Sequence, residues 1–260
     1  MAVVSVAVMA HPRRAEFVRD LVDRLDVPAE VVWDRVNNEW DTGRRALLAF
    51  DSGATHHLVV QDDALVCADF GAAAVRAADA AGERPVCFYT GKVRPHQSIV
   101  TRLHAEALGA GATWLQLPGP WWGVAVMLPT THLLDLVAWG DTRGRHVANY
   151  DKRIARWYGR SATPCWYSVP SLVDHRPEDE SPSLLPGHAG TRTAHAFIGQ
   201  ETSGLGVQWQ TTAHLPRLVT PADRRQVLLD RQEDRRERRE RARLHTTRRR
   251  EPADGNTAIG

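Results

Sequence analysis

The feature that most limits what this chain can fold into is an alternation, over its first 90 residues, of short β-branched runs with stretches of helical spacing. Strands and helices in alternation build βαβ units around a parallel sheet. Residues 3–10 are expected as a buried strand. Pro12 can open a helix in which Val18, Leu21, Val22 and Leu25 recur at i, i+3, i+4 and i+7 on one face. Residues 29–34 (AEVVWD) read as the second strand, and Thr42 as the cap of a helix carrying Ala46, Leu47 and Phe50. Residues 56–61 (HHLVVQ) are the third strand. Asp62 and Asp63 follow, then an alanine-rich helix to about Gly82 and a fourth strand over 86–90.

Further along, a helix is expected around 98–108. Two apolar runs, 113–117 and 122–128, are separated by the turn at Pro118-Gly119-Pro120. Residues 132–139 and 149–158 carry helical spacing, and 165–169 a late strand. Beyond about 176 the chain is loop-rich, with an ordered patch near 196–209. No internal repeat is visible. With 260 residues, 43% of them hydrophobic, the chain can bury one sizeable core or two small ones, which excludes a disordered polypeptide. No apolar run reaches the roughly 18–20 residues needed to cross a bilayer, and the first residues lack the basic flank and cleavage site of a signal peptide. Cys67, Cys87 and Cys165 have neither disulfide-framework nor zinc spacing. A soluble, unexported protein of a reducing cytoplasm, with no membrane partner, is the expectation.

Ligands on open α/β sheets bind beyond the carboxyl ends of the strands. Three polar clusters fall there: His11-Pro12-Arg13, Asp34, and Asp62-Asp63. No glycine-rich dinucleotide or Walker loop follows any of these strands, which disfavours ordinary dinucleotide and P-loop folds. Two adjacent carboxylates at a strand end suit a hard divalent cation bridging to phosphates, and equally suit one aspartate capping the next helix beside a solvated neighbour. His175 lies just past the late strand, where imidazole beside carboxylate would serve a manganese-like ion and where an ordinary hydrogen-bonding histidine fits as well. Trp121 and Trp122 can wall a pocket or serve the core. Asp151 opens a helix, as a cap or as a proton acceptor.

The succession SVAVMAHPRR, VVWD, NEWDTGRRAL, HHLVVQDDA, PGPWWGVAVMLP, NYDKRIARWYG and PSLVDH resembles bacteriophage-type glycosyltransferases of the GT-A fold over about residues 3–209, and TRTAHAFIGQETSGLGVQW is similar to the segment closing such domains. The order and spacing of these motifs carry the resemblance; none of them is specific to an acceptor. It implies a Rossmann-like nucleotide-binding sheet with helices on both faces and acceptor-side elements over 1–212, and the charge pattern beyond it gives the expectation of a charged C-terminal helix over 213–251 and a disordered tail over 252–260. Gln61-Asp62-Asp63 stands at the family's DxD position, with Gln61 in place of the first acid. By the same resemblance Asp63 and His175 hold Mn2+ or Mg2+. Asp62 lies near ribose or donor sugar. His11, Arg13 and Asp34 fall on nucleotide-side loops, Trp40, Thr42 and Arg44 cover base and diphosphate, and Trp122 borders the donor.

The implied activity moves a sugar from a nucleoside-diphosphate-sugar donor to an acceptor hydroxyl on a virion protein, a glycan or a modified DNA base. A metal held by Asp63 and His175, helped by Arg13 or Arg44, would stabilise the departing diphosphate. Asp151 matches the family's catalytic acid residue, the base in inverting members. Inversion is expected and retention stays open. A nucleotidyltransferase, and a non-catalytic nucleotide-sugar-binding phage protein, use the same features. The charge of +2 is unevenly spread: residues 223–251 hold 12 arginines and 7 acids. Large apolar side chains occur there only at Val227, Leu228, Leu229 and Leu244, so this helix is either solvated or bound to something such as nucleic-acid phosphates.

Overall fold

The computed structural model describes residues 1–92, 97–161, 163–177 and 192–213, together with the helical positions Arg225, Leu229, Gln232 and Arg236. The expected tail 252–260, and the helix 213–251 apart from Ala213 and those four exposed positions, lie outside the described residues.

Nine strands are described: β1 (Val4–Ala10), β2 (Glu30–Trp33), β3 (His56–Gln61), β4 (Ala64–Val66), β5 (Val86–Cys87), β6 (Trp114–Leu117), β7 (Ala125–Pro129), β8 (Cys165–Ser168) and β9 (Val173–His175). Six helices accompany them: α1 (Ala15–Arg24), α2 (Glu39–Leu48), α3 (Phe70–Ala81), α4 (Gln97–Gly109), α5 (Leu133–Asp141) and α6 (Tyr150–Ser161). Seven strands form one mixed sheet in the order β2-β1-β3-β7-β5-β8-β6. Five run in one direction, while β7 and β6 oppose them. The central strands are buried on both faces, which explains their unbroken apolar runs. Val6, Val8, Leu58 and Val60 pack with α1 and α3 on one face. Ala7 and Val59, the alternate residues, pack on the other with α2, α4, α5 and α6. Among the described residues no helix is long and apolar enough to cross a membrane.

Three local expectations are corrected. Thr42 is not a cap: Asn38 holds extended backbone and its side chain accepts the Asp41 N–H, so α2 starts one turn earlier and buries Thr42 inside it. Asp62-Asp63 does not lead straight into the alanine helix, because β4 intervenes and pairs antiparallel with β9 as a separate two-stranded ribbon. The fourth strand stops at Cys87, since the Phe88 carbonyl turns to accept N–H groups of Leu172 and Val173. The ribbon fixes the register that matters most: Ala64 faces His175, and the Arg176 N–H donates to the Asp63 carbonyl at 2.9 Å.

Candidate active site

Because β1 lies between β2 and β3, the residues following all three strands meet at one edge of the sheet. They line a cleft of about 200 Å³ that includes His11, Asp34, Asp62 and Asp63 from the strand ends, Glu39 and Thr42 from α2, and the guanidinium groups of Arg14 and Arg192. His11 caps the short 3-10 turn Pro12–Arg14, its Nδ1 accepting from the Arg13 N–H. That turn brings Arg14 over the aspartates. One Arg14 nitrogen, Nη1, donates to Asp62 Oδ1 at 2.9 Å and to Asp63 Oδ2 at 2.6 Å. Asp62 Oδ2 accepts the His11 N–H at 2.7 Å. Both carboxylates are buried. Burial, and then the charge of Asp63, push the Asp62 carboxyl up to about 6 against the opposing pull of Arg14.

His175 joins this cluster from β9. Its Nε2 stands 3.3 Å from Asp63 Oδ2, and its Nδ1 is 3.0 Å from the Arg176 carbonyl. A carbonyl only accepts, so Nδ1 carries the proton. Burial holds the imidazole below its ordinary range, opposed by the Asp63 charge, so near neutrality Nε2 is a bare lone pair facing a carboxylate oxygen. That carboxylate oxygen is held by Arg14, and beside it a histidine whose Nδ1–H is fixed by a carbonyl is oriented as a metal ligand is. Two ligands at right angles on one ion with bonds of about 2.1 Å stand about 3 Å apart, close to the observed spacing. Asp63 and His175 therefore fit a divalent cation that takes its other ligands from substrate and water. Among the described residues no group of three or more His, Cys, Asp or Glu side chains is gathered to hold an ion unaided.

The remaining residues divide. His11, Asp34, Thr42 and Asp62 line the cleft. Asp34 accepts from the Val36 and Asn38 N–H groups at 3.0 and 3.4 Å; burial raises its pKa, but these bonds outweigh burial and hold it below the usual range. Arg13 is exposed and does not line the cleft, since the 3-10 turn directs its neighbour Arg14 there instead. Trp40 and Arg44 leave the site altogether: the Trp40 Nε1–H donates to Asp141 Oδ1 at 2.9 Å, and Arg44 pairs with Asp141 Oδ2 at 2.7 Å. The helical period of α2 sends Glu39 and Thr42 to one side and Trp40 and Arg44 to the other.

Trp122 is half-buried, edge-on to Tyr89 and Tyr167, and Tyr89 in turn packs against His175. Asp151 is half-buried in the first turn of α6, with Oδ1 accepting the Lys152 N–H at 2.6 Å, and burial raises its pKa. It does not line the cleft. Its charge reaches Glu39, which does: burial and then Asp151 raise the Glu39 pKa, while the Glu39 carboxylate accepts from the Tyr150 N–H and from Asn149 Nδ2, each at 3.1 Å. Gly123 lies against the start of α6, where a Cβ would stand 2.9 Å from Tyr150 Cε1 and 3.0 Å from the Asp151 Cβ.

Arg14, Glu39 and Arg192 lie within the quoted motifs but nothing in the sequence singles them out from their neighbours; the 3-10 turn, the phase of α2 and the return of the chain at 192 bring them in. Arg192 Nη1 stands 3.9 Å from Asp63 Oδ2. No protein-family model matches this sequence, and a search of curated proteins finds no match.

Proposed function

We propose that the protein is a divalent-metal-dependent glycosyltransferase of GT-A type, transferring a sugar from a nucleoside-diphosphate-sugar donor to an acceptor hydroxyl. The observation that carries this reading is His175 Nε2 set 3.3 Å from Asp63 Oδ2 at the carboxyl edge of the sheet, with Nδ1 held 3.0 Å from the Arg176 carbonyl. Charge supports it. Asp34, Glu39, Asp62 and Asp63 against Arg14 and Arg192 leave the cleft lining formally two charges negative with neutral imidazoles, so a dianionic diphosphate enters favourably only in company with a dication. Mn2+ or Mg2+ held by Asp63 and His175 would supply Lewis-acid stabilisation of the diphosphate leaving group.

The chain's own residues do the rest. Arg14 and Arg192 offer charge-assisted hydrogen bonds to phosphate oxygens. Asp34, kept ionised, accepts from donor hydroxyls. The cleft is small for a whole nucleotide sugar, so the diphosphate end occupies it and the base extends beyond. Asp151, packed against Gly123 and close enough to act on the Glu39 charge, would take the acceptor hydroxyl proton in an inverting displacement, a role its raised pKa suits. The free thiols of Cys67, Cys87 and Cys165 accord with a reducing cytoplasm.

A thermal-shift panel of nucleotide sugars with and without Mn2+, followed by product analysis of the hit, tests the reading. A ligand at about 100 times its Kd adds roughly 2.7 kcal/mol, a readily measured shift. Release of nucleoside diphosphate is expected, with Asp63→Ala reducing turnover at least about 100-fold. Release of pyrophosphate from a nucleoside triphosphate would make the protein a nucleotidyltransferase, and donor binding without turnover a binding protein. Full Asp63→Ala activity in excess chelator would remove the metal.

A further inference from the structure

Arg14 is held in a position that a cation ligand set does not require. A single nitrogen bridges both carboxylates at 2.9 and 2.6 Å, its side chain is only 11% exposed, and the oxygen it approaches most closely is the one that faces His175 Nε2. The other oxygen of Asp62 is already committed to the His11 N–H, so the aspartate pair is fixed around the guanidinium. With Arg192 Nη1 3.9 Å from the same Asp63 oxygen, the two acids and two arginines form a neutral quartet. We infer that Arg14 is a resident counter-ion that keeps a divalent cation off Asp63 until a diphosphate draws it away, so that cation and donor bind as a coupled pair. This rests on the cation reading above.

The argument is one of charge and of shared atoms. A dication arriving alone meets two guanidinium groups around the oxygen it needs. A diphosphate arriving alone sets its two charges beside two buried carboxylates whose partners are already in use. Arriving together they leave the quartet neutral, and Arg14 exchanges carboxylate oxygens for phosphate oxygens, which it binds as strongly. Binding of either ligand then raises affinity for the other by the same factor.

The test is a titration of the full chain with Mn2+ alone, followed through the electron paramagnetic resonance signal of the free ion. Arg14→Gln is expected to bind one Mn2+ at least tenfold more tightly than wild type. Arg19→Gln, which removes the same charge five residues further along the chain, should stay within twofold. Adding Asp63→Ala to Arg14→Gln should abolish the gain. In wild type, the melting shift from Mn2+ with a nucleoside diphosphate (ADP, CDP, GDP and UDP in turn) should exceed the sum of the separate shifts, a readout that needs no variant. Equal Mn2+ affinity in wild type and Arg14→Gln, with merely additive shifts, overturns the inference and leaves the cation reading standing. No Mn2+ binding by either protein overturns both.

Discussion

Two polar clusters flank α2, and they differ in how positive charge is supplied. At the corner of α2, α5 and α6, each charged group has partners of its own. Arg44 and the Trp40 indole divide the two oxygens of Asp141, and Arg153 donates to the carbonyls of Val147, Gly140 and Arg145 while its guanidinium lies 4.3 Å from the Trp40 ring. At the cleft edge one arginine nitrogen serves two carboxylates and a bare imidazole nitrogen faces one of them. The corner is saturated and ties helices together. The cleft edge instead shares its cations between acceptors, an arrangement that an arriving ligand can rearrange.

The strongest way to break this contrast is at Arg153. Arg153→Ala strands the buried carbonyls of Val147 and Gly140, frees the part-buried carbonyl of Arg145 and removes the cation from the Trp40 face. A loss of about 3 kcal/mol of unfolding free energy is expected in urea melts, given about 1–3 kcal/mol for each buried acceptor left unpaired and some relaxation. Mn2+ affinity of the folded fraction should be unchanged. If the variant were stable but lost the ion, the corner would belong to the site.

Asp62 sharpens the contrast from the other side. Its carboxyl is raised to about 6 in the folded protein, against about 3.9 in an unfolded chain. A raised acid takes up a proton on folding, so its contribution to stability is complete below about pH 4, declines as pH rises, and is gone above about pH 6. Asp62→Asn cannot ionise. The melting temperature of this variant relative to wild type should therefore climb between pH 4 and pH 6 and level off above, whatever the offset from altered contacts with Arg14. A flat difference across that interval would mean that Arg14 fully compensates the second carboxylate and that the cleft edge is as saturated as the corner.

The difference between the clusters also marks what could be read from sequence. The apolar alternation of β1 and β3, the amphipathic period of α1 and the strand-end position of Asp62-Asp63 are local properties, and local patterns survive folding. His175 was legible as a residue just past a buried strand, but its meeting with Asp63 depends on the pairing of β4 with β9, two three-residue strands too short to show a period. The motif NEWDTGRRAL shows the opposite failure. Trp40, Thr42 and Arg44 read together as site residues, yet a helix has two sides, and the cap at Asn38 sets the phase that gives Glu39 and Thr42 to the cleft and Trp40 and Arg44 to the corner. Arg14 was hidden behind Arg13 for a similar reason: adjacent residues in a 3-10 turn point in different directions, and composition cannot choose between two arginines.

Arg44 is where the contrast predicts the smallest effect. Its ion pair with Asp141 is close, at 2.7 Å, but both side chains are more than one-third exposed, so solvent screening leaves about 0.2–1 kcal/mol, toward the lower end at physiological salt. Asp141 keeps the Trp40 N–H when Arg44 is removed, so no buried acceptor is stranded. Arg44→Ala should therefore lower the melting temperature by at most a few degrees, and the melting shift produced by Mn2+ with a nucleoside diphosphate should match wild type. The same substitution would cost that shift if Arg44 swung across to hold the diphosphate, because the phosphate would then lose a charge-assisted partner. The comparison of the two shifts, rather than the small change in stability, decides on which side of α2 this arginine works.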